Sequence, residues 1–176
     1  MHTLLFVLYL GLFSGNPVVN AKYVNNTTRS HYIYYDASRK LKWPDFKDYY
    51  GKRIEAAITA SEISYQFTMI GDVINVEVTC VFNKKNSLVM QGHKNDYILN
   101  HEQRHFDISY LFAKKFVNEL NSRRNMNTEE IDQLYNKIIA EWNAYQDLYD
   151  EETKNSVYKE GQDLWNRKIE HDISVL

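Results

Sequence analysis

The run His101-Glu102-Gln103-Arg104-His105 places two imidazoles four residues apart with a carboxylate between them. On an α-helix, residues i and i+4 share one face, a turn apart, so two rings at this spacing can give their nitrogens to one metal ion. Zinc suits the pattern, because Zn²⁺ takes imidazole nitrogen and catalytic sites leave one of its positions open. Glu102 is turned by about 100° from the histidine face. That makes it a poor ligand for the same ion, but it can reach a water held there, which is the general-base position of HExxH metallopeptidases. Zinc lowers the pKa of such a water to about 7, so hydroxide forms near neutral pH. His101 and His105 are therefore read as metal ligands and Glu102 as the catalytic base. The reaction is read as hydrolysis of a peptide or protein amide; an amide in cell-wall material would use the same chemistry. The plainer reading of the two rings is a pair of core histidines bonded to their neighbours.

The motif needs a helix, and the chain supplies one. From Asp96, the residues Ile98, Leu99, Phe106, Ile108, Leu111, Phe112, Phe116, Val117 and Leu120 recur mostly at steps of three and four, the spacing of an amphipathic helix. The histidines fall on the side of Ile98, Ile108 and Phe112, which points them inward. Asn121 to Asn127 reads as a connector, and Thr128 as the cap of a second helix with Glu129 and Glu130 in its first turn. Ile131, Leu134, Ile138, Trp142 and Tyr145 mark the buried face of that helix. A third helix is expected from Thr153, with Val157, Gly161, Leu164, Trp165 and Ile169 inward. Ahead of the helices, Ile63, Tyr65, Phe67 and Met69 alternate with polar residues, Gly71-Asp72 supplies a turn, and Ile74, Val76, Val78, Cys80 and Phe82 alternate again. That is a hairpin with one wet face. Tyr32 to Tyr35 reads as a short strand, Asp36 to Tyr50 as a loop, and Arg53 to Ala60 as one further strand. The fold class is α+β: a small antiparallel sheet, then a three-helix C-terminal half whose first helix is a zincin-like active helix.

The segment Leu99-Asn100-His101-Glu102-Gln103-Arg104-His105-Phe106-Asp107-Ile108 resembles the HEQxHFDI segment of a family of secreted bacterial proteins called domain of unknown function 922, described as zinc-dependent proteases on the strength of HExxH. Tyr35-Asp36-Ala37-Ser38-Arg39-Lys40-Leu41, Trp43 and Asp45-Phe46 resemble its N-terminal signature; Tyr149-Asp150, Glu152-Thr153, Gln162 and Trp165 resemble its C-terminal one. The resemblance implies a third ligand, a His two residues after Thr153, but this chain has Asn155 there. Asn is a poor zinc ligand, and catalytic zinc sites use three protein ligands. Glu152 and Asp150 lead the candidates to complete the site, ahead of Glu141, His93 and His171. The alternative is a catalytically weak or inactive relative that binds metal as a binding or structural module; a metal-free structural domain is the third reading. Asp107 lies off the metal-facing side, as a second-shell partner or a surface charge. Tyr145, Tyr149 and Tyr158 are candidate oxyanion donors, with core packing the plainer role of each.

The 176 residues suit one domain. With a net charge of -2 and no basic block, nothing points to nucleic acid or to an anionic membrane, and no nucleic-acid partner is expected. Cys80, the one cysteine, sits among apolar residues and reads as a buried thiol. Leu4 to Phe13 is nearly all apolar and too short to span a bilayer, which takes about 20 residues. With Val19 and Ala21 as a small-residue cleavage pattern, residues 1–21 read as a signal peptide and 22–176 as the single HExxH domain. The alternatives for this end are an uncleaved anchor or a packed first strand. A cleaved signal implies export to the periplasm or beyond and no stable membrane anchor. Asn25 and Asn26 begin N-x-T sequons, relevant only in a glycosylating host.

Overall fold

The computed structural model of the chain describes residues 17–25, 31–51, 55–123 and 125–176. Most of the expected signal segment, the sequon threonines and Arg53 lie outside these residues. The strands are β1 (Val18–Tyr23), β2 (Tyr32–Tyr34), β3 (Lys47–Tyr49), β4 (Ala57–Ile58), β5 (Ser61–Ile70), β6 (Val73–Asn83) and β7 (Leu88–Met90), and the helices are α1 (Asp96–Arg123), α2 (Thr128–Thr153) and α3 (Lys159–Ser174). The α+β class therefore holds, with strands first and three helices after.

β5 and β6 pair antiparallel from Ser61↔Phe82 to Ile70↔Val73. Gly71, at φ +56°, takes the first central position of the two-residue turn, where a two-residue hairpin of the right twist needs a positive φ. Ile74, Val76, Val78, Cys80 and Phe82 are all essentially inaccessible to solvent, so the period-two pattern marks the inner face of β6. Against that face lie Phe106, Ala113, Phe116, Val117 and Leu120 of α1. Fully burying one such large aliphatic or aromatic side chain stabilises the fold by about 1.5–3 kcal/mol, so this contact fixes α1, and with it the histidines, on the sheet.

The strands form two mixed sheets rather than one antiparallel sheet. In the first, β1 runs parallel to β6 while β2 and β5 pair with β6 antiparallel; in the second, the order is β3-β7-β4, with β3 and β7 parallel. The three-residue β3 lies in what reads from sequence as loop, and β7 follows the hairpin unannounced; two or three residues cannot display a period. The expected strand within Arg53 to Ala60 exists as the short β4, in this second sheet. Val18–Tyr23 is a packed first strand with Val19 buried, so the expected processing point after Ala21 falls within β1.

At the helix ends, Asn127 rather than Thr128 caps α2: its side chain accepts from Glu130 N at 2.9 Å while Glu130 Oε2 accepts from Asn127 N at 2.8 Å, a reciprocal capping box. α2 continues through Thr153 and α3 starts only at Lys159. Between them Lys154, Asn155 and Ser156 take left-handed φ values of 50°, 48° and 69°. Val157 lies in this turn and is 80% exposed, and Leu164 is also exposed, whereas Gly161, Trp165 and Ile169 face inward as expected. None of the described helices is long and apolar enough to cross a membrane.

Candidate metal centre

His101 and His105 stand one turn apart on the buried side of α1, and α2 crosses them with Asp150. The Nε2 atoms of the two histidines are 3.2 Å apart, and Asp150 Oδ1 lies 3.2 Å from His101 Nε2 and 3.0 Å from His105 Nε2. Donors bound tetrahedrally to zinc at its usual bond lengths are separated by about 3.3 Å, so the triangle has the size of three corners of a zinc tetrahedron. Among the described residues these three form the group able to hold a metal ion.

Neighbouring amides fix which ring nitrogens face the triangle. Gln146 Nε2 donates to the carbonyl of His105 at 2.9 Å, so its Oε1, 2.6 Å from His105 Nδ1, accepts the ring proton. Arg104 Nε donates to Asn166 Oδ1 at 2.9 Å, which identifies that atom as oxygen; Gln162 Nε2 donates to it at 3.0 Å, and Gln162 Oε1 accepts from His101 Nδ1 at 2.8 Å. In their neutral form both rings thus carry hydrogen on Nδ1 and present bare Nε2 atoms, and a further proton can enter only at Nε2. Three electron-rich atoms within 3.2 Å repel one another unless a proton or a metal ion sits between them, and Asp150 Oδ1 is buried without a hydrogen-bond donor. Such outward bonds from Nδ1 are the usual support of metal-binding histidines. Two imidazoles and a carboxylate suit Zn²⁺ and Fe²⁺ alike.

The electrostatics agree. Burial works against the Asp150 charge, but the two histidines, when they carry a proton on Nε2, donate to its carboxyl and hold it well below the usual carboxylate range. Burial pulls His105 toward neutrality, yet Asp150, the nearby Glu102 charge and Gln146 together leave its pKa raised. Tyr149 packs against both rings, stacked on His101 at 4.7 Å and edge-on to His105 at 4.9 Å. Glu102 is 3% exposed, and its Oε2 accepts no hydrogen bond.

The triad opens into a cleft of about 360 Å³. Residues 55–61, Trp142, Asn143 and Gln146 of α2, and Asn155 and Ser156 line it with the triad and Glu102. Asn155 therefore borders the site, while Asp150 joins the donor set in its place. The left-handed backbone gives Asn155 a local reason, since Asn tolerates that region better than most residues. Glu152 is turned away and accepts from Trp165 Nε1 at 2.8 Å; Glu141 pairs with Lys115; His93 and His171 lie outside the cluster. Asp107 touches neither histidine. It is fully buried and accepts from Tyr35 Oη at 3.0 Å, Gln103 Nε2 at 2.7 Å and Arg104 Nη1 at 2.9 Å. Gln103 Oε1 also accepts from Leu41 N at 2.7 Å, so Gln103 and Asp107 tie the segment around Tyr35 to Leu41 onto α1. Tyr145, Tyr149 and Tyr158 do not line the cleft.

Gln146 has no place in the sequence reading. Its signal is the spacing of Trp142, Gln146 and Asp150, four residues apart on one face of α2. Gln162 depends on the close approach of α3: a Cβ on Gly161 would stand 2.5 Å from the carbonyl oxygen of Glu152, so glycine lets α3 sit against the end of α2.

Residues 92–157 match the model of a family described as "Bacterial protein of unknown function (DUF922)", the family that the HEQxHFD segment resembles. No curated protein and no solved structure matches the chain.

Proposed function

From the premise that the metal-donor triad lies within the segment matching this family, we propose that the protein is an exported zinc-dependent hydrolase of amide bonds, a peptidase in type. The observation that carries the reading is the convergence of His101 Nε2, His105 Nε2 and Asp150 Oδ1 at 3.0–3.2 Å, with their ring protons directed away to Gln162 and Gln146. Bound there, zinc would supply Lewis-acid activation of water and of the scissile carbonyl. His101, His105 and Asp150 hold the ion, and the two glutamines keep the rings in the ligating tautomer. Glu102, one helical step from the histidines and bordering the same cleft, takes the proton of the attacking water and returns it to the departing amine. Asp150 supplies the third donor that Asn155 does not, which favours an active site over the binding-module alternative. Glu102 beside the donors favours hydrolysis over the redox chemistry that the same donor set supports with iron. Export rests on the apolar N-terminal run alone.

Glu102→Gln tests the proposal. It keeps size and polarity and removes the base, so zinc content stays near one per chain while hydrolysis of a mixed peptide library falls about 10²–10⁴-fold. A variant as active as the parent would overturn the assignment of the base.

A further inference from the structure

We propose that the cleft takes its substrate as an extended polypeptide that adds a strand to β4, through the backbone groups of Ala57 and Thr59. This deepens the hydrolase reading and rests on it. An unbroken run, residues 55–61, lines the cleft. β4 ends the sheet order β3-β7-β4 and, among the described residues, pairs on one side only.

The register decides which groups face outward. Met90 N donates to Ala56 O at 2.8 Å, and Ala57 stands opposite Val89 in the antiparallel pair. Hydrogen-bonded and non-bonded pairs alternate along such a ladder, so Ala56 and Ile58 face β7 and Ala57 does not. Val89 is committed to its other neighbour, β3, as the flanking bonds Lys47 N to Ser87 O and Gln91 N to Tyr49 O require. Ala60 continues the inward set, with its N donating to Ser87 Oγ at 2.9 Å and its O accepting from Asn83 N at 2.8 Å. The N–H and C=O groups of Ala57 and Thr59 are left pointing off the edge that no strand covers among the described residues. Thr59 Oγ1 donates to the carbonyl of Glu102 at 3.1 Å, which pins this edge directly beside the proposed base. A strand added here would lie about 4.8 Å from β4. Unpaired backbone groups along an edge are a template for main-chain recognition, and a polysaccharide has no alternating N–H and C=O to match them.

The test uses full-chain Glu102→Gln protein loaded with zinc and four probes: acetohydroxamate, tetra-alanine hydroxamate, and two tetra-alanine hydroxamates N-methylated at alternate residues in opposite phase. Each backbone hydrogen bond contributes about two- to tenfold in affinity. Tetra-alanine hydroxamate should bind at least tenfold more tightly than acetohydroxamate. One methylation phase should lose most of that gain and the other keep it, since only alternate residues of an added strand face β4. Amide exchange at Ala57 and Thr59 should slow at least tenfold on binding. Equal affinity of both methylated probes with the parent peptide, or unchanged exchange at Ala57 and Thr59, overturns strand addition and leaves the hydrolase reading standing. Zinc-loaded protein that does not bind acetohydroxamate overturns the hydrolase reading, and strand addition falls with it.

Discussion

Replacing Gln162 with leucine should weaken zinc binding although Gln162 never touches the ion. Gln162 Oε1 holds the Nδ1 hydrogen of His101 at 2.8 Å, and His101 is only 4% exposed, so little solvent can take over that bond. Leaving a buried donor unpaired costs about 1–3 kcal/mol, and the lost bond is also what keeps His101 Nε2 bare. Removing such a support typically lowers metal affinity about 10–100-fold, which corresponds to roughly 1.4–2.7 kcal/mol. Gln162→Glu retains an acceptor, with a charge, but faces Asn166 Oδ1 with oxygen instead of an amide donor. It should bind zinc within about threefold of the parent or more tightly, because a carboxylate raises the basicity of a ligating histidine. Competition with a chromophoric chelator measures both, and thermal melts of chelated protein report any loss of fold separately. Unchanged zinc affinity in Gln162→Leu would refute the tautomer reasoning, as would Gln162→Glu behaving like Gln162→Leu.

Asp150→Ala should lower zinc affinity more than Gln162→Leu does, while Glu152→Ala and Asn155→His leave it within about threefold, since Asp150 completes a three-ligand set; a large gain from Asn155→His would return the third-ligand role to that position. The pH response should reverse in sign with metal. With His105 raised above its usual 6.5, the pairing with Asp150 stabilises metal-stripped protein fully below that value and is lost as pH rises through the raised pKa. Asp150, held low, contributes above the ordinary carboxylate range and fails only as pH falls through its depressed pKa. Zinc must displace the His105 proton, so its stabilisation grows over the interval in which the stripped protein weakens; parallel melting curves with and without zinc from pH 5 to 9 would contradict this. A chain beginning at Lys22 should be less stable than one beginning at Pro17 by about 2 kcal/mol or more, because Val19 is buried in β1. Equal urea midpoints would show β1 dispensable and keep the expected processing point open.

The parts legible in the sequence were those with many repeats of one spacing. The β5–β6 hairpin displays ten register pairs and α1 spans 28 residues, so period and burial face were plain, and the two histidines followed from α1. What was not legible depended on tertiary contact. β3, β4 and β7 are too short for a pattern and exist because the sheet completes them. The break between α2 and α3 came later than expected because three left-handed residues, none of them glycine, end α2. Asp150 stood among five candidate third ligands in the sequence; the crossing of α2 over α1 separates it from Glu152, two residues and about 200° away on the same helix. From sequence Gln103 has no role and Asp107 reads as a support for the metal ligands or a surface charge, yet Asp107 is fully buried and both residues join α1 to the chain around Tyr35 and Leu41.

Metal content tests the central claim most directly. Full-chain protein, purified without chelator and supplied with zinc and ferrous iron in turn, should retain about one Zn²⁺ per chain after desalting. His101→Ala with His105→Ala should retain almost none while its far-ultraviolet circular dichroism stays that of the parent. Wild-type protein that never retains zinc, or a double variant that retains it fully, would contradict the account.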